Sequence, residues 1–218
     1  MIEKNLYLPK NAVICKEEYT IEHTRTYDKR RFNRPKMAKY DRFEKAFAQR
    51  LFGMVGTDSH IVDIPCGNGR FFEIFSKARK LIMADHSINM LRACEERFGA
   101  PDNVRLIQSD ILSIPLPDGW ADLCFCMRLF HHINNDQVRL GALKELARVS
   151  NKYVALSFYN KNSWKFYRRK ILGKRISGFY ITFSRMVSLA RQVTLECVGR
   201  FPKLSLFGQQ CLVIFKKG

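Results

Sequence analysis

The feature that most constrains this fold is residues 61–70, where an apolar run ends in an acid and leads into a glycine-containing turn. Asp63 is the acid, and Gly67 and Gly69 follow it. Apolar side chains then recur at helical spacing over residues 71–75, which predicts a helix over residues 70–79. A strand, a tight loop and a helix in this order open the sheet of nucleotide-binding α/β proteins. Glycine suits such a loop because backbone amides can approach a ligand with no Cβ in the way.

Two further strands are predicted to end near acids. Residues 80–85 form an apolar run that ends in Asp85, which follows Asp63 by 22 residues. A ribose-binding acid stands at roughly 20 residues in dinucleotide-binding proteins. Asp85 therefore indicates a nucleoside ligand, and the alternative is an acid that caps the next helix. Residues 103–108 predict the third strand, and Asp110 follows it.

The glycine loop differs from the dinucleotide fingerprint. G-x-G-x-x-G would place its third glycine at position 72, where this chain has Phe72. The pattern D-x-x-x-G-x-G, formed by Asp63, Gly67 and Gly69, instead resembles the first motif of class I S-adenosylmethionine (SAM) dependent methyltransferases. In that family the acid lies near the methionine amino group, and the glycines pack under the methionine and ribose. Pro65 stands where the family often has another glycine.

Later motifs resemble the same family in the same order. Residues 85–91 resemble its D-x-S-x-x-M-L motif, whose methionine reaches back toward the adenine. The acid after the third strand receives the exocyclic amine of adenine in that family, and the next residue's amide meets a ring nitrogen. The resemblance implies SAM as the cofactor, and it implies these cofactor-binding residues: Asp63, Cys66, Gly67, Gly69, Asp85, His86, Met90, Asp110, Ile111, Met127 and Arg128.

A pair of histidines follows the fourth predicted strand, residues 120–126. Ligands of α/β sheets bind beyond the carboxyl ends of strands at the point where the strand order reverses. The run from Arg128 to His131 and His132 resembles the R-x-x-H-H of small-molecule methyltransferases. It does not resemble the N/D-P-P-Y motif of enzymes that methylate base amines. His131 and His132 are candidate catalytic residues, as a general base near neutral pH. The alternative is one structural and one solvated histidine.

The remaining elements complete a single α/β domain over residues 1–218. An apolar stripe predicts a helix over residues 38–52, and strands are predicted at residues 153–159, 194–198 and 210–215. By the resemblance, the fold is a Rossmann-like, doubly wound sheet of seven strands with an antiparallel terminal hairpin and an N-terminal helical lid. The expected division is a cap or lid segment over 1–55 and a SAM-binding core over 56–218, with a basic insertion at 161–180.

Positive charge is concentrated in the last third of the chain. The net charge is +18, and residues 146–218 carry 15 Lys and Arg against one acid, Glu196. Seven of these cations lie in residues 161–175, interleaved with Trp164 and Tyr167. This segment indicates an anionic partner, which is the acceptor itself, an anionic membrane surface or RNA. The alternative is a solvated basic helix.

Cysteine usage and hydropathy bear on the compartment. The chain has seven cysteines, an odd number without C-x-x-C, most of them in apolar runs. This pattern predicts free thiols in a reducing compartment and no metal site. No apolar run approaches the roughly 20 residues of a membrane span, and the N-terminus does not resemble a signal peptide. A cytoplasmic location is therefore expected.

The sequence thus predicts a SAM-dependent methyltransferase acting on a small molecule or on a lipid- or saccharide-linked acceptor. An RNA methyltransferase is the alternative enzyme, because cations and aromatic residues are interleaved. A catalytically inactive SAM-binding regulatory protein is the alternative from another class. Fold and cofactor do not determine the acceptor.

Overall fold

The computed structural model describes residues 20, 22, 24–26, 33, 35–99, 101–201 and 208–218. Its helices and strands are, in chain order, α1 (Pro35–Val55), β1 (His60–Asp63), α2 (Phe72–Phe75), β2 (Lys80–Asp85), α3 (Ile88–Phe98), β3 (Val104–Gln108), β4 (Ala121–Cys126), α4 (Asp136–Val149), β5 (Ser150–Asn160), α5 (Trp164–Ile171), β6 (Tyr180–Ile181), α6 (Phe183–Arg191), β7 (Leu195–Phe201) and β8 (Gln210–Lys217). A 3₁₀ turn at Phe130–His132 follows β4.

The strands form one sheet in the order β3-β2-β1-β4-β5-β8-β7. The first five strands are parallel to their neighbours, and β8 runs antiparallel to both β5 and β7. The predicted seven-stranded sheet with an antiparallel terminal hairpin is confirmed. Tyr180–Ile181 adds a short eighth strand, which pairs with the end of β5. Strand order reverses between β1 and β4, so ligands are expected at the carboxyl ends of these two strands.

Helices cover both faces of the sheet, because the central strands are apolar on both sides. Along β4, Cys124 and Cys126 belong to one buried cluster, which also contains side chains of α4 and α6. Leu123 and Phe125 belong to the other cluster, with side chains of α1 and α3. Alternate residues of a strand point to opposite faces, so the two clusters lie on opposite sides of the sheet.

The helix after the glycine loop is shorter than its sequence predicts. The apolar spacing predicts a helix over residues 70–79, whereas α2 spans only Phe72–Phe75 before turns lead into β2. The Asn103 side chain donates hydrogen bonds to the carbonyls of Ser76 and Ala78, each at 2.8 Å. These bonds satisfy carbonyls that a longer helix would use internally, so the chain turns early.

The N-terminal lid prediction lies partly outside the described residues. Residues 35–55 form α1, which confirms the helix predicted at 38–52. Most of residues 1–34, including the segment expected to cover the substrate, is not among the described residues.

Among the described residues six cysteines are free and five of these are buried, which agrees with the prediction of free thiols at these positions: Cys66, Cys94, Cys124, Cys126, Cys197 and Cys211. Burial raises the pKa of the Cys124 thiol to about 12. In the part of the chain that the structure describes, no group of His, Cys, Asp and Glu side chains is arranged to hold a metal ion. None of the described helices is both long and apolar enough to cross a bilayer.

Candidate functional site

The loop after β1 carries two glycines that serve different purposes. Gly67 and Gly69 both have a positive φ, of 58° and 81°. A Cβ on Gly69 would overlap the ring of Phe98, so this glycine lets the loop pack against the end of α3. A Cβ on Gly67 would meet no described atom within 4 Å. The backbone at Gly67 therefore faces open space, where a ligand can approach it.

Asp85, at the end of β2, braces this loop. Its Oδ2 accepts a hydrogen bond from the Gly67 N–H and its Oδ1 accepts one from the Ser87 N–H, both at 2.9 Å. The bond to Ser87 fixes the turn ahead of α3, and Ser87, the N-cap residue of that helix, makes no capping bond from its own side chain. Each carboxylate oxygen has a second lone pair, so Asp85 can still accept from a ligand hydroxyl.

Asp63, at the end of β1, is also buried, but its carboxylate is not fully hydrogen-bonded by the described residues. Its side chain is 1% exposed, and its Oδ1 has no hydrogen-bond partner among the described residues. Burial raises the pKa of Asp63 well above its ordinary value, with a further rise from Asp85 that Arg70 opposes. A buried acceptor without a partner costs roughly 1–3 kcal/mol. A cationic group of a ligand would satisfy it.

The other predicted cofactor residues lie around the same edge. Asp110 is buried and accepts the Leu112 N–H at 2.9 Å, which shapes the turn after β3. The His86 carbonyl accepts a bond from Gln108 at 3.0 Å. The parallel strands β1 to β4 place their carboxyl ends side by side. Around them lie all eleven predicted residues: Asp63, Cys66, Gly67, Gly69, Asp85, His86, Met90, Asp110, Ile111, Met127 and Arg128.

Glu44, a fully buried carboxylate on α1, contacts side chains from several elements at this edge of the sheet. Arg128 donates from Nε to both Glu44 oxygens, at 2.9 and 3.0 Å. Arg70, from the glycine loop, places its Nη1 2.5 Å from Glu44 Oε2, and Gln210 of β8 donates to the other oxygen. Burial alone would raise the pKa of Glu44, but Arg70, Arg128 and the Gln210 hydrogen bond together hold this pKa below its usual range.

Sequence reasoning missed Glu44, although a signal was available. Tyr40, Glu44, Phe47 and Leu51 lie on one face of a helix, so the acid interrupts an otherwise apolar stripe. An acid on a buried face needs a cationic partner. The sequence does not say which arginine supplies it.

Aromatic rings surround the histidine pair. His131 is 4% exposed and stacks on Tyr159 with ring centroids 4.2 Å apart, and His132 is half-buried beside it. Tyr159 in turn contacts Tyr180, at 5.3 Å between centroids. The Phe179 N–H donates to the His131 carbonyl at 2.8 Å. These rings extend the site from the end of β4 to the ends of β5 and β6, and sequence reasoning did not include Tyr159 or Tyr180.

Comparison with known proteins identifies the domain. Residues 61–152 match the family described as "Methyltransferase domain". Over these residues the chain is similar to a methyltransferase domain. It superposes on magnesium protoporphyrin IX methyltransferase from Synechocystis, a structure with bound SAH, with a TM-score of 0.69 over 90% of this chain and 97% of that chain, at 11% identity. At that identity the likeness concerns the fold.

Curated relatives of the methyltransferase domain act on different acceptors. The mouse tRNA (carboxymethyluridine(34)-5-O)-methyltransferase ALKBH8 is 32% identical over 123 residues, which are 55% of this chain and 18% of that protein. The malonyl-[acyl-carrier protein] O-methyltransferase of Pectobacterium atrosepticum is 28% identical over 115 residues, covering 50% of this chain and 44% of the relative. The chain thus spans less than half the length of either relative.

We expect Glu44→Gln to lower the free energy of unfolding of the protein by roughly 3–5 kcal/mol, because the largely buried Arg128 loses its carboxylate partner and Arg70 keeps its ion pair with Asp41 but loses that with Glu44. Urea denaturation followed by circular dichroism measures this change. Glu96→Gln is the matched control, since Glu96 forms an exposed ion pair with Arg25. The control should keep the parent's midpoint, and equal loss in both variants would contradict a special role for the buried pair.

Proposed function

We propose that this chain transfers the methyl group of SAM to a carboxylate oxygen of an anionic small molecule or of a lipid- or saccharide-linked acceptor. The observation that carries the cofactor half of the proposal is the convergence of Asp63, Gly67, Asp85 and Asp110 at one edge of the sheet. SAM, when bound, supplies a methyl group on a positively charged sulfur.

The site's chemistry fits each part of SAM. The unpartnered Oδ1 of Asp63 would accept from the methionine amino group, and the open face of Gly67 would receive the methionine and ribose. Asp85 would accept from the ribose hydroxyls, and Asp110 from the adenine amine. Cys66, Gly69, His86, Met90, Ile111, Met127 and Arg128 would complete the cofactor site.

The proposal that the acceptor is a carboxylate rests on chemistry that two relatives share. The ALKBH8 and malonyl-carrier enzymes are both named for O-methylation of groups that bear a carboxylate. A carboxylate is ionised at neutral pH, with an ordinary pKa near 4. It can therefore attack without losing a proton, and a general base is unnecessary.

Because a carboxylate acceptor needs no general base, the role proposed for the histidine pair is to position the acceptor. His131 is held between Tyr159 and the rest of the 3₁₀ turn, so its ring forms a fixed wall of the acceptor side. Holding two reactants in line can contribute effective molarities of about 10⁵–10⁸ M. If the acceptor instead carries a hydroxyl, His132 is the candidate base, worth roughly 10²–10⁴ in rate.

RNA is the second candidate acceptor, because ALKBH8 and a tRNA methyltransferase 9B relative are named for tRNA. An inactive SAM-binding regulator is the remaining alternative. The proposed setting is the cytoplasm, which the free cysteines among the described residues support.

Calorimetry should show SAM binding and much weaker binding of NAD. Asp85→Ala should weaken SAM binding by about 1.5–3 kcal/mol, the value of a hydrogen bond to a charged group. Asp58→Ala, at an exposed position ahead of the amino end of β1 and so at the other end of this strand from the glycine loop, is the control. Binding of NAD in preference to SAM would overturn the proposal.

SAM affinity should fall as the pH falls. Burial raises the pKa of Asp63, so the carboxyl takes up a proton as the pH drops through that raised value and then no longer attracts the methionine amino group. One linked proton changes affinity by at most about tenfold per pH unit, which calorimetry at a series of pH values from neutral downward resolves. Asp63→Asn should reduce this dependence to the part contributed by Asp85, whose pKa burial also raises, while His86→Gln should retain it. A parent affinity independent of pH would argue against contact between Asp63 and the amino group.

Tritiated SAM identifies the acceptor. Lipid, water-soluble and RNA fractions of the organism that encodes the chain are incubated with the protein, and label in each is counted. A carboxylate acceptor forms a methyl ester, so mild alkali should release the label as volatile methanol, whereas N-, C- and ether-linked methyl groups stay bound.

The Asp63→Asn, Asp85→Ala double variant is the control for that assay. Alkali-stable label would exclude the carboxylate, and label in the RNA fraction would favour the second candidate. No label in any fraction, together with intact SAM binding, would favour the regulator.

With an acceptor in hand, the pH profile of turnover separates positioning from a base, because only a base gives a limb near pH 6–7 that His132→Gln abolishes.

A further inference from the structure

Residues 164–179, named here the surface segment, leave large apolar side chains exposed. Eight large apolar side chains are exposed among the described residues, and six of them lie in this segment: Trp164, Tyr167, Ile171, Leu172, Ile176 and Phe179. Ile171 is 78% exposed and Trp164 56%. Helix α5, which opens the segment, has no buried residue. A cluster of this kind marks an interaction surface.

The helix is fixed so that its apolar stripe faces outward. Trp164, Tyr167 and Ile171 follow one another at i, i+3 and i+7, on one side of α5. Phe166 lies on the other side and contacts Tyr180, with 4.8 Å between ring centroids. Ser163 caps the helix by accepting the Phe166 N–H. The apolar stripe is therefore exposed because the opposite side of α5 packs against the rest of the protein.

Cations border the stripe. The surface segment contains six Lys and Arg and no acid, and no acid occurs anywhere from residue 146 to residue 195. Arg169 donates to the Arg175 carbonyl and so closes the turn after α5. This turn keeps Lys174 and Arg175 beside the cations of α5. The segment thus combines an exposed apolar stripe with a high density of positive charge.

We propose that the surface segment docks on an anionic lipid bilayer. Helices that lie in the bilayer interface pair an apolar side rich in Trp, Phe and Leu with Lys and Arg. Trp164 and Tyr167 suit the headgroup level, Ile171 and Leu172 the acyl boundary, and the cations the lipid phosphates. Half of the exposed apolar side chains are branched aliphatics, which offer nucleic-acid bases no flat surface on which to stack. Lipid is therefore favoured over RNA.

Docking would bring the acceptor side of the site to the lipid surface. Phe166 contacts Tyr180, Tyr180 contacts Tyr159, and Tyr159 stacks on His131. Phe179, within the segment, donates to the His131 carbonyl. The ends of β4 and β5 would face the bilayer, so an acceptor anchored by acyl chains could reach the site without leaving the membrane. This last step rests on the proposed function.

Vesicle co-sedimentation of the full chain tests the proposal, with phosphatidylcholine vesicles containing or lacking phosphatidylglycerol and without SAM. The parent should bind the anionic vesicles and not the neutral ones. Arg168→Gln with Lys170→Gln should weaken binding roughly 25-fold, since each cation near the surface contributes about fivefold. Ile171→Ser with Leu172→Ser should weaken it about tenfold or more, because it removes the buried aliphatic groups.

Matched variants control for charge and for exposed apolar area. Arg92→Gln with Lys144→Gln removes two exposed cations elsewhere, and Val198→Ser removes an aliphatic side chain that is 52% exposed, as Leu172 is. Both should bind vesicles as the parent does. Retained SAM affinity shows that each variant is folded, and vesicle binding without methyl transfer would overturn only the proposed function.

Three results would overturn the docking proposal. The first is a parent that does not bind anionic vesicles at low salt. The second is an Ile171, Leu172 variant that binds as tightly as the parent, which would leave only a diffuse electrostatic attraction. The third is binding of total tRNA that depends on Arg168 and Lys170, with no vesicle binding, which would assign the surface to RNA.

Discussion

The site depends on one buried carboxylate held by two guanidinium groups. Glu44 is fully buried on α1, while its partners come from the glycine loop, from the end of β4 and from β8, up to 166 residues away in the chain. Burying a charge is costly, and only close, hydrogen-bonded partners offset the cost. Because the partners belong to the loop after β1, the loop after β4 and the start of β8, the same contacts fix the relative positions of the glycine loop and the segment that leads to the histidines.

Two acids on neighbouring strands differ in whether their oxygens hydrogen-bond to the protein or remain available to a ligand. Asp85 uses both oxygens on backbone amides and so supports the loop. Asp63 has an oxygen with no described partner, and its pKa is raised by burial. For an acid whose pKa is raised in the folded state, the stabilising contribution is present at low pH and is lost as the pH rises through that value. Ionised Asp63 therefore costs stability, as residues at binding sites often do.

The sequence predicted the sheet well because its strands are short apolar runs bounded by acids and turns. The predicted bounds of β2 match those observed, and the acids that end β1 and β2 and follow β3 meet at one edge as parallel pairing requires. Contacts between distant residues account for the differences. Asn103 shortens the helix after the glycine loop, and Tyr180 pairs with the end of β5 to form a strand too short to leave a pattern. Glu44 was missed because helical periodicity shows that a position is buried without showing its partner.

The ion pairs of Glu44 also bear on how this protein should be divided for laboratory work. A sequence-based boundary at residues 55 and 56 separates an N-terminal segment from a nucleotide-binding core. A fragment that begins after α1 would retain Arg70 and Arg128 but lose Glu44, and it would also uncover the side of the sheet that Phe47 and Leu51 cover. The newly exposed apolar surface would favour aggregation, and the two guanidinium groups would lack the counter-charge that Glu44 supplies. The smallest unit suited to expression therefore begins ahead of residue 35, with α1 treated as part of the core.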